Sequence, residues 1–93
     1  MSAAAIIIRD PSAVLDYGFD WDDDNWLGTD TITASTWSVP SGLTKESESN
    51  TTTVAIVWIS GGTAGQRYRI TNHITTAGGR EDERSLILVC KNR

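Results

Sequence analysis

The sequence contains few of the residues on which small proteins often depend for stability or chemistry. It has one cysteine, one histidine and two prolines in 93 residues. A single cysteine cannot form an internal disulfide, so the fold does not require an oxidising compartment, and Cys90 is expected to pack as a small hydrophobic residue. No apolar run is long enough for a transmembrane helix, and the first nine residues are not typical of a signal peptide.

Basic residues are scarce in the first half of the chain and acidic residues are scarce in the second. Residues 1–50 contain nine acidic and two basic side chains, whereas residues 51–93 contain three acidic and six basic ones. The net charge of −4 argues against a general binder of nucleic acid or of anionic membranes. The uneven distribution fits either a solvated surface or a domain whose acidic and basic regions dock in one orientation.

Alternating apolar and polar residues indicate β-strands along most of the chain. The clearest case begins at Leu15, where Tyr17, Phe19 and Trp21 share one face with it and polar residues occupy the other. Further strands are predicted at residues 31–39, 43–49, 53–60, 67–75 and 85–91. The segment 43–49 is polar and reads as a charged edge strand, and a change of phase near residues 35–36 predicts a β-bulge.

These six or seven strands, with no convincing helix between them, predict an all-β fold. We expect an immunoglobulin-like antiparallel β-sandwich over residues 14–93, preceded by an extended N-terminal arm at residues 1–13. Tyr68 lies in a segment that resembles the tyrosine corner of such folds, and Trp37 or Trp58 is expected to fill the centre in place of the missing disulfide. The strand at 53–60 is apolar on both faces, so it is either covered or part of an interface.

Residue types suited to catalysis or metal binding are few and poorly arranged. His73 falls on the polar face of a strand beside two arginines, and nothing brings it near Cys90, so a surface role is favoured over general-base catalysis. The acidic cluster that includes Asp20 and Asp30 lacks the spacing of an EF-hand, which favours a solvated docking loop. The sequence therefore predicts no catalytic, cofactor-binding or metal-ligating residues, and no enzyme activity.

The four tryptophans divide into two groups. Trp21, Trp37 and Trp58 fall on apolar strand faces, where packing in the core is the expected role. Trp26 is the least constrained by any pattern and is the best candidate for an exposed contact. An exposed aromatic platform would permit a glycan-binding surface module, which stays open as an alternative function.

Several segments together resemble a family of small tailed-bacteriophage virion proteins, the fibre–tail adaptors. The segments that carry the resemblance are residues 10–17, 20–21 with 26–27, 35–43, 57–65, 68–76 and 79–85. They keep the family's order and cover roughly residues 10–90. The stretch between Trp21 and Trp26 departs from the family pattern because it is longer and more acidic.

The resemblance implies a structural component of a virion tail, assembled in the host cytoplasm. Its partners would be other virion proteins (tail, connector or fibre subunits), and it would be present in several symmetric copies, with no nucleic-acid, membrane or cofactor partner. A capsid decoration protein is a further alternative. The expected partner-contact residues lie on the arm, in the acidic loop and near the last connection. They are Ile6, Ile7, Ile8, Arg9, Asp22, Asp23, Asp24, Trp26, Arg80 and Arg84.

Overall fold

The strands of this protein follow the alternating segments of its sequence. The computed structural model describes residues 5–91, apart from the side chain of Asp24. Its elements are β1 (Ala5–Arg9), β2 (Leu15–Asp20), a 3₁₀ turn (Asp23–Asn25), β3 (Ile32–Ser38), β4 (Leu43–Asn50), β5 (Val54–Gly61), β6 (Arg67–Thr76) and β7 (Glu81–Cys90). No helix within this part of the chain is long and apolar enough to span a membrane.

The seven strands form two sheets that pack face to face, which confirms the predicted all-β sandwich. The first sheet has the order β1-β7-β6-β3, and the second has the order β2-β5-β4. All neighbouring pairs are antiparallel except β1 and β7, which run parallel. The polar strand β4 lies at an edge, as its sequence predicts.

Two aromatic residues occupy positions typical of immunoglobulin-like sandwiches. Tyr68 lies near the start of β6, and its phenolic oxygen accepts a hydrogen bond from the Thr63 backbone N–H at 3.0 Å, which is the geometry of a tyrosine corner. Trp37, on β3, is buried, and its ring stacks on Phe19 of the other sheet with a centroid distance of 5.6 Å. Stacked aromatic rings thus join the two sheets in a domain whose single cysteine cannot form a disulfide between them.

A buried polar network connects the same two sheets. The Trp21 indole N–H donates to Asn72 Oδ1 at 2.8 Å, and the Asn72 amide donates to Ser35 Oγ and to the Thr36 carbonyl. Asn72 and Trp21 are both fully buried. Because both ends of the Asn72 amide have partners, this polar group stabilises the core and fixes β3, β6 and Trp21 relative to one another.

The bulge in β3 lies earlier than predicted. The register between β3 and β6 shifts between Ile32 and Ala34, so Thr33 is the extra residue, and its hydroxyl donates to the Thr75 carbonyl at 3.2 Å. The prediction of residues 35–36 was wrong because it placed Ala34 on the inner face. Ala34 is exposed, since a side chain this small gains little from burial and does not determine the strand's phase.

Side chains of β4 cover the free edge of β3. The Trp37 backbone N–H donates to Glu48 Oε1 at 3.0 Å, and Lys45 Nζ donates to the Trp37 carbonyl at 3.3 Å. Lys45 and Glu48 also form an ion pair of 2.6 Å. At Trp37 the free edge of β3 is therefore blocked to another strand, since both backbone groups of this residue already have partners.

The segment expected to be a free arm belongs in large part to the first sheet. Residues 5–9 form β1, which pairs with β7 from Ala5 beside Leu86 to Arg9 beside Cys90. Residues 1–4 lie outside the described residues. The arm expectation is corrected for residues 5–9, because their β-branched run completes the sheet of the domain itself.

Candidate interaction surfaces

The acidic loop and the β6–β7 turn meet at one end of the sandwich, here called the loop end and made of residues 22–30 and 77–80. Arg80 connects the two segments. Its Nη1 and Nη2 donate to the carbonyls of Trp26 and Leu27 at 3.1 and 3.0 Å, and its Nε lies 3.2 Å from Asp30 Oδ2. Two groups of predicted contact residues, distant in sequence, are therefore neighbours in the structure.

Two tryptophans packed against each other lie between two arginines at and beside the loop end. The Arg80 guanidinium lies over the Trp26 ring at 4.4 Å from its centroid, and Trp26 packs against Trp21 at 5.5 Å. Arg84 lies over the Trp21 ring at 4.2 Å. These cation–π contacts hold the loop against the hairpin. Trp26 is half-buried under Arg80 and does not offer the open aromatic face that a glycan platform needs.

Asp30 is the polar centre of the loop end. Hydrogen bonds lower the pKa of its carboxyl from 3.8 to about 2, first from the Thr76 hydroxyl and then from the backbone of Gly78 and Thr31 and from Arg80. A Cβ at Gly78 would lie 2.9 Å from Asp30 Oδ2, so glycine permits this close approach. The carboxylate consequently stays charged, and the loop end keeps its ion pair across the usual pH range.

The acidic turn itself has a defined backbone. The Asp22 N–H donates to Asp20 Oδ1 at 3.0 Å, and Asn25 adopts a left-handed conformation with φ of 57°, which asparagine tolerates. Asp22 is half-buried and Asp23 is exposed, whereas the side chain of Asp24 lies outside what the structure describes. Among the described side chains, no group of three or more His, Cys, Asp or Glu residues could hold a metal ion.

The outer face of the first sheet carries an apolar patch beside two arginines. We call this patch the basic face. It consists of Ile6 and Ile8 on β1, Ile87 and Val89 on β7, and Arg67 and Arg69 on β6. Ile6 and Ile8 are 61% and 47% exposed. The predicted contact residue Ile7 points the other way and packs against the core.

The outer face of the second sheet has the opposite charge. We call it the acidic face. It consists of Val54, Ile56 and Trp58 on β5, Asp16, Gly18 and Asp20 on β2, and Glu46 at the bulge in β4. Trp58 is 42% exposed, so the expectation of a core role was wrong. Ala55, Val57 and Ile59 occupy the inner face instead, and this choice could not be read from a strand apolar on both sides.

Arg9 is not available for contacts in this structure. Its side chain is fully buried, and it donates to the carbonyls of Ala13 and Ile59 at 2.7 and 3.3 Å. It also reaches the phenolic oxygen of Tyr17 at 3.4 Å. The candidate contact at Arg9 is therefore corrected to a structural role, since its charge is needed inside the domain.

His73 and Cys90 lie on opposite faces of the first sheet. The two ring nitrogens of His73 lie 3.0 Å from Glu81 Oε1 and 3.2 Å from Glu83 Oε2, at the surface. These two carboxylates raise the pKa of His73. Cys90 is fully buried, as the sequence predicts for a packed cysteine. The histidine and the thiol therefore do not form a nucleophile–base pair.

Comparison with known families agrees with this geometry. A family model described as podophage GP4 fiber-tail adaptor protein gp77 matches residues 9–89, nearly the whole sandwich. No curated protein matches the chain. The matched span includes the loop end, the acidic face and all strands except most of β1. The chain thus belongs to the podophage fibre–tail adaptor family, and its role in the virion is that of a structural adaptor.

Proposed function

We propose that this chain joins the phage tail, or the head–tail connector, to fibre or neighbouring tail proteins by direct protein contacts. It acts in the tail region of the virion in several symmetric copies, after assembly in the host cytoplasm, and it carries out no catalysis. The family membership supports this role. So do three surfaces of distinct character on one small domain: the loop end, the basic face and the acidic face.

The observation that carries the proposal is the rigid construction of the loop end. Arg80 and Asp30 hold a turn on which the carboxylate of Asp23 is exposed at one end of the sandwich. A loop that is ordered before binding loses less conformational entropy on association. Its negative charge selects a positively charged partner surface and orients the approach of that partner. The loop end is therefore the proposed contact with a basic region of a neighbouring virion protein.

A charge reversal in the acidic turn tests this contact. Asp23 is exposed and its side chain makes no hydrogen bond with the described residues, so Asp23→Lys is expected to fold normally. We expect particles assembled with this variant to contain much less of the chain, measured by quantitative mass spectrometry of purified virions. The matched control is the double variant Ser41→Lys, Ala64→Lys, which makes the same change in net charge in two exposed turns outside the loop end and outside both outer faces.

Equal incorporation of Asp23→Lys and the wild-type chain would contradict the proposed role of the loop end. Loss of both variants would mean that net charge, and not this turn, determines assembly. Each variant is first checked by circular dichroism and thermal unfolding, so that a folding defect is recognised before particles are made.

The exposed isoleucines of β1 are the second proposed contact. Deletion of residues 1–9 is a poor test, because it removes β1 and the buried Arg9 from the domain. The paired substitutions Ile6→Thr and Ile8→Thr keep the strand, since threonine favours β-structure, but remove most of the exposed apolar surface. We expect normal folding and reduced incorporation into particles. Unchanged incorporation would remove β1 from the contact surface.

A further inference from the structure

The basic and acidic faces lie on opposite sides of the sandwich and complement each other. On the basic face, the side chains of Arg67 and Arg69 make no hydrogen bond or ion pair with the described residues. They lie beside the exposed isoleucines of β1 and the half-buried Ile87 and Val89 of β7. Arginine beside an apolar patch is a composition enriched in protein interfaces. The acidic side chains on this side of the sheet, Glu81 and Glu83, lie towards its other end beside His73. The two arginines therefore have no carboxylate partner among the described residues.

The acidic face has the matching arrangement. Asp16 lies directly beside Trp58 across the β2–β5 pair, and its side chain makes no hydrogen bond or ion pair with the described residues. Asp20 and Glu46 lie on the same face, and no described basic side chain does. Trp58 lies on β5, the central strand of this sheet, and presents apolar surface to solvent beside the carboxylate of Asp16.

We propose that the basic face of one copy packs on the acidic face of a second copy of this chain. The apolar residues of the two faces form the centre of the contact, and the arginines of one copy meet the carboxylates of the next. Because the two surfaces differ, the contact is heterologous, and repetition of it produces a ring if the rotation closes or an open chain if it does not.

The alternative of two like faces meeting is disfavoured by charge. A contact centred on two basic faces, or on two acidic faces, places like charges opposite each other, which is unfavourable in an interface. Size does not limit the proposed contact. The two longest extents of the domain are 42 and 24 Å, and a face of this size can bury the ~800 Å² per partner of a standard interface.

This inference does not rest on the adaptor contact proposed at the loop end. It shares Ile6 and Ile8 with the second proposed contact, so the double variant Ile6→Thr, Ile8→Thr is also tested for self-association, and a loss there assigns β1 to the contact between copies. The loop end takes no part in the face-to-face packing, so it remains available for another virion protein. Self-association is measured with the purified chain alone, whereas the adaptor role is measured in particles. Failure of one test therefore does not imply failure of the other.

The first experiment measures the mass of the purified full chain by light scattering and sedimentation over increasing concentration. We expect a mass that rises above that of one 93-residue chain, and association that weakens as salt is added, since salt screens charge pairs at the rim of the contact. A wild-type chain that stays monomeric at every concentration and at low salt overturns the proposal.

The second experiment identifies the faces by charge exchange between copies. Arg69→Glu and Asp16→Arg are each expected to weaken self-association at least about tenfold, because each places like charges across the contact. In an equal mixture of the two variants, opposite charges meet again at every contact between unlike copies. The two substituted side chains face each other at one contact, and the native Arg69 and Asp16 face each other at the next. The double variant in one chain also restores association, and its net charge equals that of the wild type.

Failure of both the mixture and the double variant to recover association would overturn the assignment of these two faces. An equal mixture that does not associate, together with a double variant that does, would also overturn the assignment. A contact between different copies should form in the mixture as well as in the double variant. Circular dichroism of each variant is the control for folding, and both substituted side chains are exposed in the wild-type chain.

Discussion

Arg9 connects the first strand to the interior at the point where the chain crosses from one sheet to the other. Its guanidinium reaches the Ala13 carbonyl in the crossing segment and the Ile59 carbonyl in the second sheet. A buried charge is tolerated only when hydrogen bonds replace the lost water. Burial raises the pKa of the neighbouring Tyr17, although Arg9 opposes this shift. The arginine therefore acts as a cross-link between sheets and not as a surface charge.

Replacement of Arg9 by alanine tests this role. The carbonyls of Ala13 and Ile59 would lose a charged donor and a cavity would form, so we expect the free energy of unfolding to fall by about 2–4 kcal/mol. Chemical denaturation followed by tryptophan fluorescence measures it. The exposed Arg67→Ala is the matched control and should change stability by no more than about 0.5 kcal/mol. Equal stability of the two variants would contradict the cross-link.

His73 should make the stability of the fold depend on pH. Hydrogen bonds to Glu81, and then to Glu83, raise its pKa above 6.5. The protonated ring therefore stabilises the folded state fully below about pH 6.5, and this contribution is lost as the pH rises through the higher folded-state pKa. Because the chain has one histidine, NMR titration of its ring protons gives the pKa directly. The double variant Glu81→Gln, Glu83→Gln should lower the midpoint, whereas a wild-type midpoint at or below 6.5 would contradict the expectation.

At the scale of elements, the β6–β7 hairpin serves as a support for the acidic loop. The loop has few apolar anchors of its own, chiefly Leu27 and Trp26, and the hairpin supplies Arg80 and Arg84 to hold it. Surface ion pairs alone contribute little. Here the Arg80 guanidinium adds two backbone hydrogen bonds and a stacked ring to its ion pair, so the loop is held by several interactions at once.

Removal of the Arg80 charge should loosen this loop and leave the core intact. In Arg80→Gln, backbone amides of residues 22–30 should exchange with deuterium about tenfold faster. The free energy of local opening falls, because opening no longer requires the Arg80 hydrogen bonds and ion pair to break. Hydrogen exchange with mass spectrometry measures the effect peptide by peptide. Amides of β6 and β7 beyond the turn should be unchanged and serve as an internal reference. Unaltered exchange in the loop would show that other contacts hold it.

The tyrosine corner should contribute to stability through a single hydrogen bond. Tyr68→Phe removes the acceptor of the Thr63 N–H and keeps the ring, so we expect a loss of about 1 kcal/mol in the free energy of unfolding. Thr63→Val keeps the backbone N–H and is the matched control. Thermal unfolding of both variants gives the comparison. A Tyr68→Phe variant as stable as Thr63→Val would mean that the corner has no energetic role.

At the scale of the whole molecule, one tryptophan differs from the other three. Trp58 is exposed, Trp26 is half-buried, and Trp21 and Trp37 are buried. We therefore expect acrylamide to quench one main component of the tryptophan fluorescence. Trp58→Phe should remove most of this quenchable component and change the free energy of unfolding little. Trp37→Phe should keep the quenchable component and reduce stability. Quenching that survives in Trp58→Phe would contradict the orientation of β5.

Much of the fold was predictable because strand alternation is a local signal. The alternation through Tyr17 and Phe19 gives the correct inner face of β2, and the polar composition of β4 gives the correct edge. Local patterns fail where two faces look alike. In β5 both faces are apolar, so the sequence did not show that Trp58 points outward, and only the packing of the facing sheet decides this.

The candidate surfaces were predictable only in part. Composition identified the acidic turn residues and the two arginines near the last turn. The contact between these two segments depends on the pair Asp30 and Arg80, which are fifty positions apart. Non-local pairs of this kind leave no mark in a single sequence. The burial of Arg9 is also non-local, since its acceptor Ile59 lies on a distant strand.

The parallel pairing of β1 with β7 has a mechanical consequence for a protein that connects particle parts. A pulling force applied at Ala5 and at Cys90 acts along these two strands in opposite directions, because they run side by side with the same polarity. The hydrogen bonds between them are then loaded in shear and must break together, not one after another as in a zipper. Resistance to tension is thus a property of how the first and last strands are joined.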